Sequence, residues 1–434
     1  MVLPPQQPDK AFEALLQKRP SDLEATAREF KAFARPRKIH SAQELMRLVL
    51  LFSGLDQSWR EVAGTMTLLD TPVSDEAVRQ RLKACQPWVK ALLARLLPQP
   101  VRDDLPSELR VQVVDGSTVQ GPGAQGIGYR VHVALDLVSL ELSYVAVTDR
   151  KTGEKLGHYR LGEGDGALAD RGYCHRQGIH EMLERNAHVV VRYNAHNLPW
   201  YDEAGEAVDM VAPLKRAEGR GQCCLARRLN RPGEEGFGYR VWVHARRLPP
   251  EQADAARRRC RRNAKRHQPK QSTLYLAGWV LVLSTLPPEV LDTDTVLALY
   301  RVRWQVELTI KRWKSRLDLD QWRARQGSPL AELWLHGKLL YAQLLERRAR
   351  AQVAPYWGDL DQPRPATWWR VWKMLKQPLD QIISAVALWH PQRWADCVQK
   401  LAERPRRRQL QRLPEPLKRV RFSLPASLPS PAEA

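Results

Sequence analysis

Cysteine is scarce in this chain. The six present (Cys85, Cys174, Cys223, Cys224, Cys260 and Cys397) form no C-x-x-C pair. A disulfide framework is therefore excluded, and reduced thiols in a reducing compartment are expected. Cys174-His175, with His180 nearby, lacks a second ligand pair at zinc spacing, which argues against a structural zinc site. Long apolar runs are also missing. None reaches the roughly 18 residues that crossing a bilayer requires, and the opening MVLPPQQPDK has no apolar signal segment. Acids are in deficit, with 48 Asp and Glu against 69 Lys and Arg, a net charge of +21 and a pI near 10.0. A charge that large favours a polyanionic partner, because every phosphate neutralised releases counterions. Charge alone does not choose between DNA, RNA and an anionic membrane surface. With no span and no signal segment, a soluble, cytoplasmic nucleic-acid protein is the expectation. A chain of 434 residues, 43% hydrophobic, has enough for several packed units.

Residues 1–105 read as helices. Ser41 precedes AQELMRLVLLF, with Leu, Met and Val at helical spacing; SWREVAGTM follows, and Ser74 opens DEAVRQRLKACQPWVKALLARLL. The second of these short helices carries Arg79, Arg81 and Lys83. A DNA-binding helix-turn-helix and a small helical bundle with a solvated basic face both fit. From 106 to 195 the pattern changes. LRVQVVDGS is a strand ending at an acid, GYRVHVALDL and LELSYVAVTD are two more, and the Gly/Pro turn before them matches G-x-G-x-x-G only as a hairpin, since a strand follows it. TGEKLGHYRLGE is a loop with a short helix, GALAD another strand ending at an acid, CHRQGIHEMLERN a helix and AHVVVRYN a fifth strand. Three antiparallel strands followed by helix, strand, helix and strand is the ribonuclease-H-like order. Right-handed crossovers would lay the fourth strand beside the first, bringing Asp115 and Asp170 together at their carboxyl ends. Residues 196–290 form a β-rich insertion with a basic run, Arg257–Lys270, free of acids and suited to phosphate contact. A core helix lies in 291–325, further helices fill 326–403, and 404–434 is a basic, Pro/Ser-rich tail.

The helix expected over Thr295–Leu317 carries the strongest signal. With Tyr300 as origin, Arg303, Glu307, Lys311 and Lys314 fall at roughly −60°, −20°, +20° and −40°. Beside this stripe Leu299, Val306, Ile310 and Leu317 form the apolar face. A solvated helix scatters its polar groups over the far side; this one gathers a lone carboxylate among donors at the edge of the buried face. The plain alternative is a surface of i, i+4 ion pairs. Three carboxylates converging from two strand ends and a helix need protonation or a cation. All-oxygen ligands suit Mg²⁺, with Mn²⁺ in substitution, and two such ions about 4 Å apart serve phosphodiester displacement.

VVDGST with Asp115, LADRGY with Asp170, and Y-x-x-R-x-x-x-E-x-x-x-x-x-x-K over Tyr300, Arg303, Glu307 and Lys314 together resemble the bacterial insertion-sequence transposases with a DDE triad and a YREK signature. The resemblance is good from about 109 to 320 and weaker at both ends. It implies an α/β, ribonuclease-H-like catalytic core interrupted by a β-rich insertion, with Asp115, Asp170 and Glu307 holding the two metal ions. It also implies a homodimer that brings two transposon ends together, and excision through hairpinned ends of double-stranded DNA before strand transfer to a target. Lys311, Arg171 and Arg192 are implied phosphate contacts. Trp279, about twenty residues before Tyr300, stands where relatives receive a flipped base. A nucleoid-associated bacterial protein with no membrane partner follows. Asp136, Glu163 and Glu154 read as solvated or salt-bridging acids. Two rival functions stay open: a structure-selective nuclease of the same fold, and a DNA-binding protein that has lost catalysis.

Overall fold

The computed structural model describes residues 9–17, 23–97, 109–121, 126–194, 198–202, 204–230, 233–234, 239–264, 268–321, 324–353 and 368–401. The basic tail beyond 403 and the tip of the Gly/Pro turn at 122–125 lie outside them. Six helices come first: α1 (Lys10–Gln17), α2 (Leu23–Glu29), α3 (Ala42–Ser53), α4 (Trp59–Leu68), α5 (Asp75–Ala84) and α6 (Gln86–Leu96). Strands β1 (Arg110–Val119), β2 (Tyr129–Asp136), β3 (Leu142–Asp149) and β4 (Asp165–Ala169) lead to helix α7 (Arg176–Glu184) and strand β5 (His188–Arg192). Short strands β6 (Trp200–Tyr201) and β7 (Ala207–Val208), helix α8 (Val211–Arg216), and strands β8 (Gln222–Arg228) and β9 (Arg240–Arg247) follow. Helices α9 (Pro250–Asn263) and α10 (Gln271–Leu276) precede β10 (Trp279–Ser284), and the chain continues as α11 (Thr293–Val302), α12 (Trp304–Leu317), α13 (Pro329–Val353), α14 (Trp368–Ser384) and α15 (Trp394–Leu401). No helix among the described residues is long and apolar enough to cross a membrane.

The serines do what their positions suggest. Ser41, Ser58 and Ser74 each accept the backbone N–H three residues on, and Glu61 completes a capping box at Ser58. On α5, Arg79 ion-pairs with Glu76 and Arg81 donates to the Arg35 carbonyl. Two of the three basic residues there thus have partners within the protein. The short helix expected in TGEKLGHYRLGE is a single 3₁₀ turn, Leu156–His158. The helix expected over Thr295–Leu317 is two helices. Arg303 keeps a right-handed backbone (φ −48°, ψ −29°), but Val306 N–H bonds the Arg303 carbonyl at 3.3 Å. That i to i+3 tightening separates α11 from α12.

The sheet is mixed, its ten strands ordered β3-β2-β1-β4-β5-β10-β9-β8-β6-β7. The insertion's strands therefore continue the same sheet, because β10 pairs antiparallel with both β5 and β9. β1, β4 and β5 are parallel neighbours. Alternation along each strand feeds two cores. Val113, Leu168, Val190 and Val282 face a core shared with the N-terminal helices, α12 and α13. Val114, Ala167, Ala169, Val189, Val191, Leu281 and Leu283 face a second core with Tyr159, Tyr173, Ile179 and Met182. Both faces of the central strands are covered, which explains their nearly unbroken apolar runs.

Helix α13 holds the first core together. Its fully buried Lys338 donates to Asp56 Oδ2 at 2.6 Å and to the Gly54 carbonyl at 3.2 Å, and Trp334 Nε1 donates to Asp56 Oδ1 at 3.0 Å. Gly337 lets α13 approach α3: a Cβ there would stand 2.6 Å from Ser53 Cβ and 3.3 Å from Val49 Cγ1. Gly337→Ala should destabilise the fold by about 1–3 kcal/mol through overpacking, in spite of alanine's higher helix propensity. Gly219→Ala, with no atom within 4 Å, is the near-neutral control. Urea unfolding midpoints decide the matter, and an unchanged or raised midpoint for Gly337→Ala would refute it.

Candidate active site

The parallel register builds the site. Val113 of β1 pairs with Leu168 of β4; carried two residues on, that register sets Asp115, in the middle of β1, level with Asp170, the first residue past β4. Alternation turns both toward the face covered by α12, the side of Val113 and Leu168. The same count on β5 brings Arg192 level with Asp170, since Ala169 pairs with Val191. Asp115 Oδ1 accepts its neighbour's Gly116 N–H at 2.8 Å, and Asp170 Oδ1 accepts Gly172 N–H at 2.7 Å. From the opposite face the buried Tyr159 hydroxyl donates to the Asp115 carbonyl at 3.0 Å and shares a 2.9 Å hydrogen bond with Tyr173.

Helices α11 and α12 close the site from above. Arg303, at their junction, ion-pairs with Glu307, and its Nη1 lies 4.0 Å from Asp115 Oδ2. Its guanidinium also rests over the Tyr300 ring, 5.6 Å from the centroid. One arginine therefore links two other residues picked out by helical spacing, Tyr300 and Glu307, to Asp115 on β1. Lys314 donates to the Thr118 carbonyl of β1 at 3.0 Å, which ties the helix to the strand. Lys311 is exposed and stacks over Trp304, 4.2 Å from its centroid. Arg171 and Arg192 are exposed at the strand ends.

Burial, and then the charges of Asp170 and Glu154, push the Asp115 carboxyl up to about 7, against the Gly116 amide and the Arg303 guanidinium. Burial likewise raises Glu154, with Asp170 adding to it and Arg130 opposing. Burial raises the Tyr300 hydroxyl while Arg303 and Arg192 pull it down. Such a set of crowded carboxylates has the donor chemistry of a hard divalent cation. As the side chains stand, no three acidic, His or Cys groups among the described residues are close enough to grip one ion, and Glu307 is turned to Arg303.

Glu154, read from sequence as a solvated or salt-bridging acid, does pair with Arg130 at 3.0 Å. It also lies against the glycines that follow Asp115 and Asp170. Its one advance signal was a polar loop between two strands. Asp136 instead caps its own turn through Val138 and Ser139, and Glu163 is exposed. Arg257, counted with the basic run, ion-pairs with Asp254 one turn earlier at 2.9 Å, a partner just outside the acid-free stretch. Arg258, Arg259, Arg261 and Arg262 are exposed on α9. Trp279, only 4% exposed, lines a cavity of about 500 Å³ with Glu218, Arg247, Arg257 and Tyr275. Val282 pairs with Arg192, so Trp279 lies beyond the carboxyl ends of the parallel strands, on the edge where the acids sit.

A family model described as a transposase DDE domain matches residues 106–342, a span that takes in Asp115, Asp170 and Glu307. The transposase of insertion sequence element IS421 from Escherichia coli is 31% identical over 338 residues, covering 76% of this chain and 90% of its own length. The InsL protein of insertion sequence element IS186A from Escherichia coli K12 is 31% identical over 337 residues with the same coverage. A piggyBac transposase synaptic complex with hairpin DNA matches at a TM-score of 0.42 and 10% identity over 95% of this chain and 89% of that one, a likeness too loose to define the fold. With the family domain spanning more than half of its length and insertion-sequence transposases matching along most of it, the chain belongs to the DDE transposase family.

Proposed function

We propose that this protein cuts DNA at the ends of its own element and joins the freed 3′-hydroxyls to target DNA, with Asp115, Asp170 and Glu307 as the catalytic triad of a ribonuclease-H-like core. The carrying observation is the parallel pairing of β1 with β4, which brings Asp115 and Asp170 to one place, together with Arg303, which reaches both Asp115 and Glu307. The order of the first five strands, 3-2-1-4-5, supports the ribonuclease-H-like reading.

DDE transposases work with divalent metal ions. Asp115, Asp170 and Glu307 would hold them here, with Mg²⁺ as the physiological ion and Mn²⁺ in substitution. Two ions, when bound, would activate the attacking oxygen and stabilise the leaving one. The protein's own part is positioning. Asp115 and Asp170 are fixed by their strands. Arg303 neutralises Glu307 and shields Asp115 until a cation or a phosphate takes over that role. Arg303, Lys314 and Tyr300, the YREK partners of Glu307, with Lys311, Arg171 and Arg192, ring the site with donors for the bound strand's phosphates. Trp279 and its cavity suit a base displaced from the stack during hairpin formation. Membership of the family supports the further reading of a homodimer across two transposon ends, helices within 1–105 as the end-binding region, 196–290 as the insertion, and a nucleoid-associated protein of the bacterial cytoplasm.

Asp115→Asn, Asp170→Asn and Glu307→Gln should each abolish cleavage in Mg²⁺ while leaving end binding largely intact. Near-normal cleavage by one of them removes that residue from the triad, and a strand-transfer assay on a pre-cut end separates a transposase from a nuclease that only cuts. The Asp115 carboxyl also sets a stability signature. Its pKa is near 7 in the fold against about 4 unfolded, so the native state binds the proton more tightly. Metal-free stability should therefore fall as pH rises from about 4 to about 7, and Asp115→Asn should flatten that decline. Melting curves across this range would show no difference between the two proteins if the site were unstrained.

Replacing Arg258, Arg259, Arg261 and Arg262 with Gln should flatten the slope of log K against log salt by about 0.9 for each phosphate that α9 no longer neutralises. An unchanged slope makes α9 a solvated face. Trp279→Ala should spare the first nick and slow hairpin formation by about tenfold to a hundredfold, the value of one base–aromatic stack. End-labelled duplexes on denaturing gels resolve the two products. Equal loss of both, with a lowered melting temperature, would make Trp279 a packing residue only.

A further inference from the structure

The parallel pairing of β1 with β4 runs as far as Val113 and Leu168, and β4 ends at Ala169. Asp115 stays paired, but with Val133 of β2 on the other side of its strand. Asp170 already caps the 3₁₀ turn Arg171–Tyr173. The pairing that joins the two strands thus stops short of both acids.

On the face away from α12 a second connection spans them. The Tyr159 hydroxyl donates to the Asp115 carbonyl at 3.0 Å and lies 2.9 Å from the Tyr173 hydroxyl. Each phenol has one proton to give. Tyr159 gives its own to a carbonyl, which only accepts, so Tyr173 is the donor in the second bond. The chain of hydrogen bonds therefore runs one way, from Tyr173 through Tyr159 to the Asp115 backbone. Its far end is tied to the other acid. The Tyr173 N–H donates to the Asp170 carbonyl at 3.2 Å, and Asp170 Oδ1 accepts the Gly172 N–H at 2.7 Å.

Packing alone does not call for these hydroxyls. Both rings are fully buried in the second core, where phenylalanine would fill nearly the same space without taking a polar group out of water. Burial raises both phenols above their ordinary range, so each keeps the proton that the chain uses. Tyr193, in the same core, shows the local alternative: its hydroxyl donates to the Leu198 carbonyl at 3.1 Å, five residues along its own chain.

We propose that Tyr159 and Tyr173 are positioning residues for DNA cleavage, whose linked hydroxyls hold Asp115 and Asp170 at a set separation so that both serve the same divalent cation. The inference rests on the triad reading above. Its rival is a pair of core tyrosines that only stabilise the fold.

The test is Mn²⁺ binding to the full-length protein without DNA, followed by the electron paramagnetic resonance signal of free Mn²⁺. Metal-free melting curves check the fold of each variant. Tyr159→Phe and Tyr173→Phe should each weaken Mn²⁺ binding by about tenfold, the size of effect seen when a group behind a metal ligand is removed. Both should slow the first nick at limiting metal and leave the Kd for end DNA unchanged. The double variant should bind Mn²⁺ no more weakly than either single one, because a chain cut at one link loses nothing more at the second. Tyr193→Phe should bind Mn²⁺ as the wild type does. Wild-type affinity in both Phe variants, with loss in Asp170→Asn, overturns the positioning role and leaves the triad standing. Wild-type affinity in Asp170→Asn as well overturns the triad and this inference with it. Losses that add in the double variant, or an equal loss in Tyr193→Phe, make the two tyrosines packing residues and also overturn the proposal. Should one of the two Phe variants fail to fold, the other carries the same reading against the Tyr193→Phe control.

Discussion

The parallel register of β1 on β4 is the constraint on which the site depends. A one-residue slip would turn Asp115 away from α12 and put Val114 in its place. Slippage is opposed by both cores at once, because Val113 and Leu168 are buried on one face and Val114, Ala167 and Ala169 on the other. A slip would therefore disturb the packing of both cores.

That precision carries an electrostatic cost. Asp115 is desolvated beside two other carboxylates, and the fold tolerates this through Arg303, the Gly116 amide and a carboxyl that holds its proton well above the usual range. Groups set apart by such strain are typical of sites that await a ligand. Arg303 serves twice in the arrangement, since one guanidinium offsets the acid on the helix and approaches the acid on the strand.

Asp170, directly after β4, was legible in the sequence because it closes a short apolar run; Asp115 closes one too, but β1 does not end there and continues to Val119. Serine caps marked α3 and α5 for the same local reason. The stripe of Tyr300, Arg303, Glu307 and Lys314 was legible from periodicity, and it survives because Arg303 keeps a right-handed backbone even where the helix tightens. Other features are set by partners distant in sequence, and no local pattern encodes them. Glu154 comes to lie beside Gly116 and Gly172 through a loop whose course is set by the pairing of β3 with β2. The merging of the insertion into one sheet depends on β10 finding β5 across about ninety residues. Lys314 looked like a free donor on a helix face; its bond to Thr118 becomes visible only once β1 lies underneath.

The continuity of that sheet has a mechanical consequence. Strands β4, β5 and β10 are joined edge to edge by backbone hydrogen bonds, a linkage far stiffer along its plane than any tether of loops. The cavity at Trp279 is therefore not on a swinging arm. It stands two strands across from Asp170 and three residues outward from the level of Arg192, roughly 10 Å in each direction from ordinary sheet spacings. The sheet acts as a caliper with one jaw at the acids and the other at the aromatic cavity, and its gap cannot open without breaking a ladder. Whatever spans the two jaws must bend to that gauge.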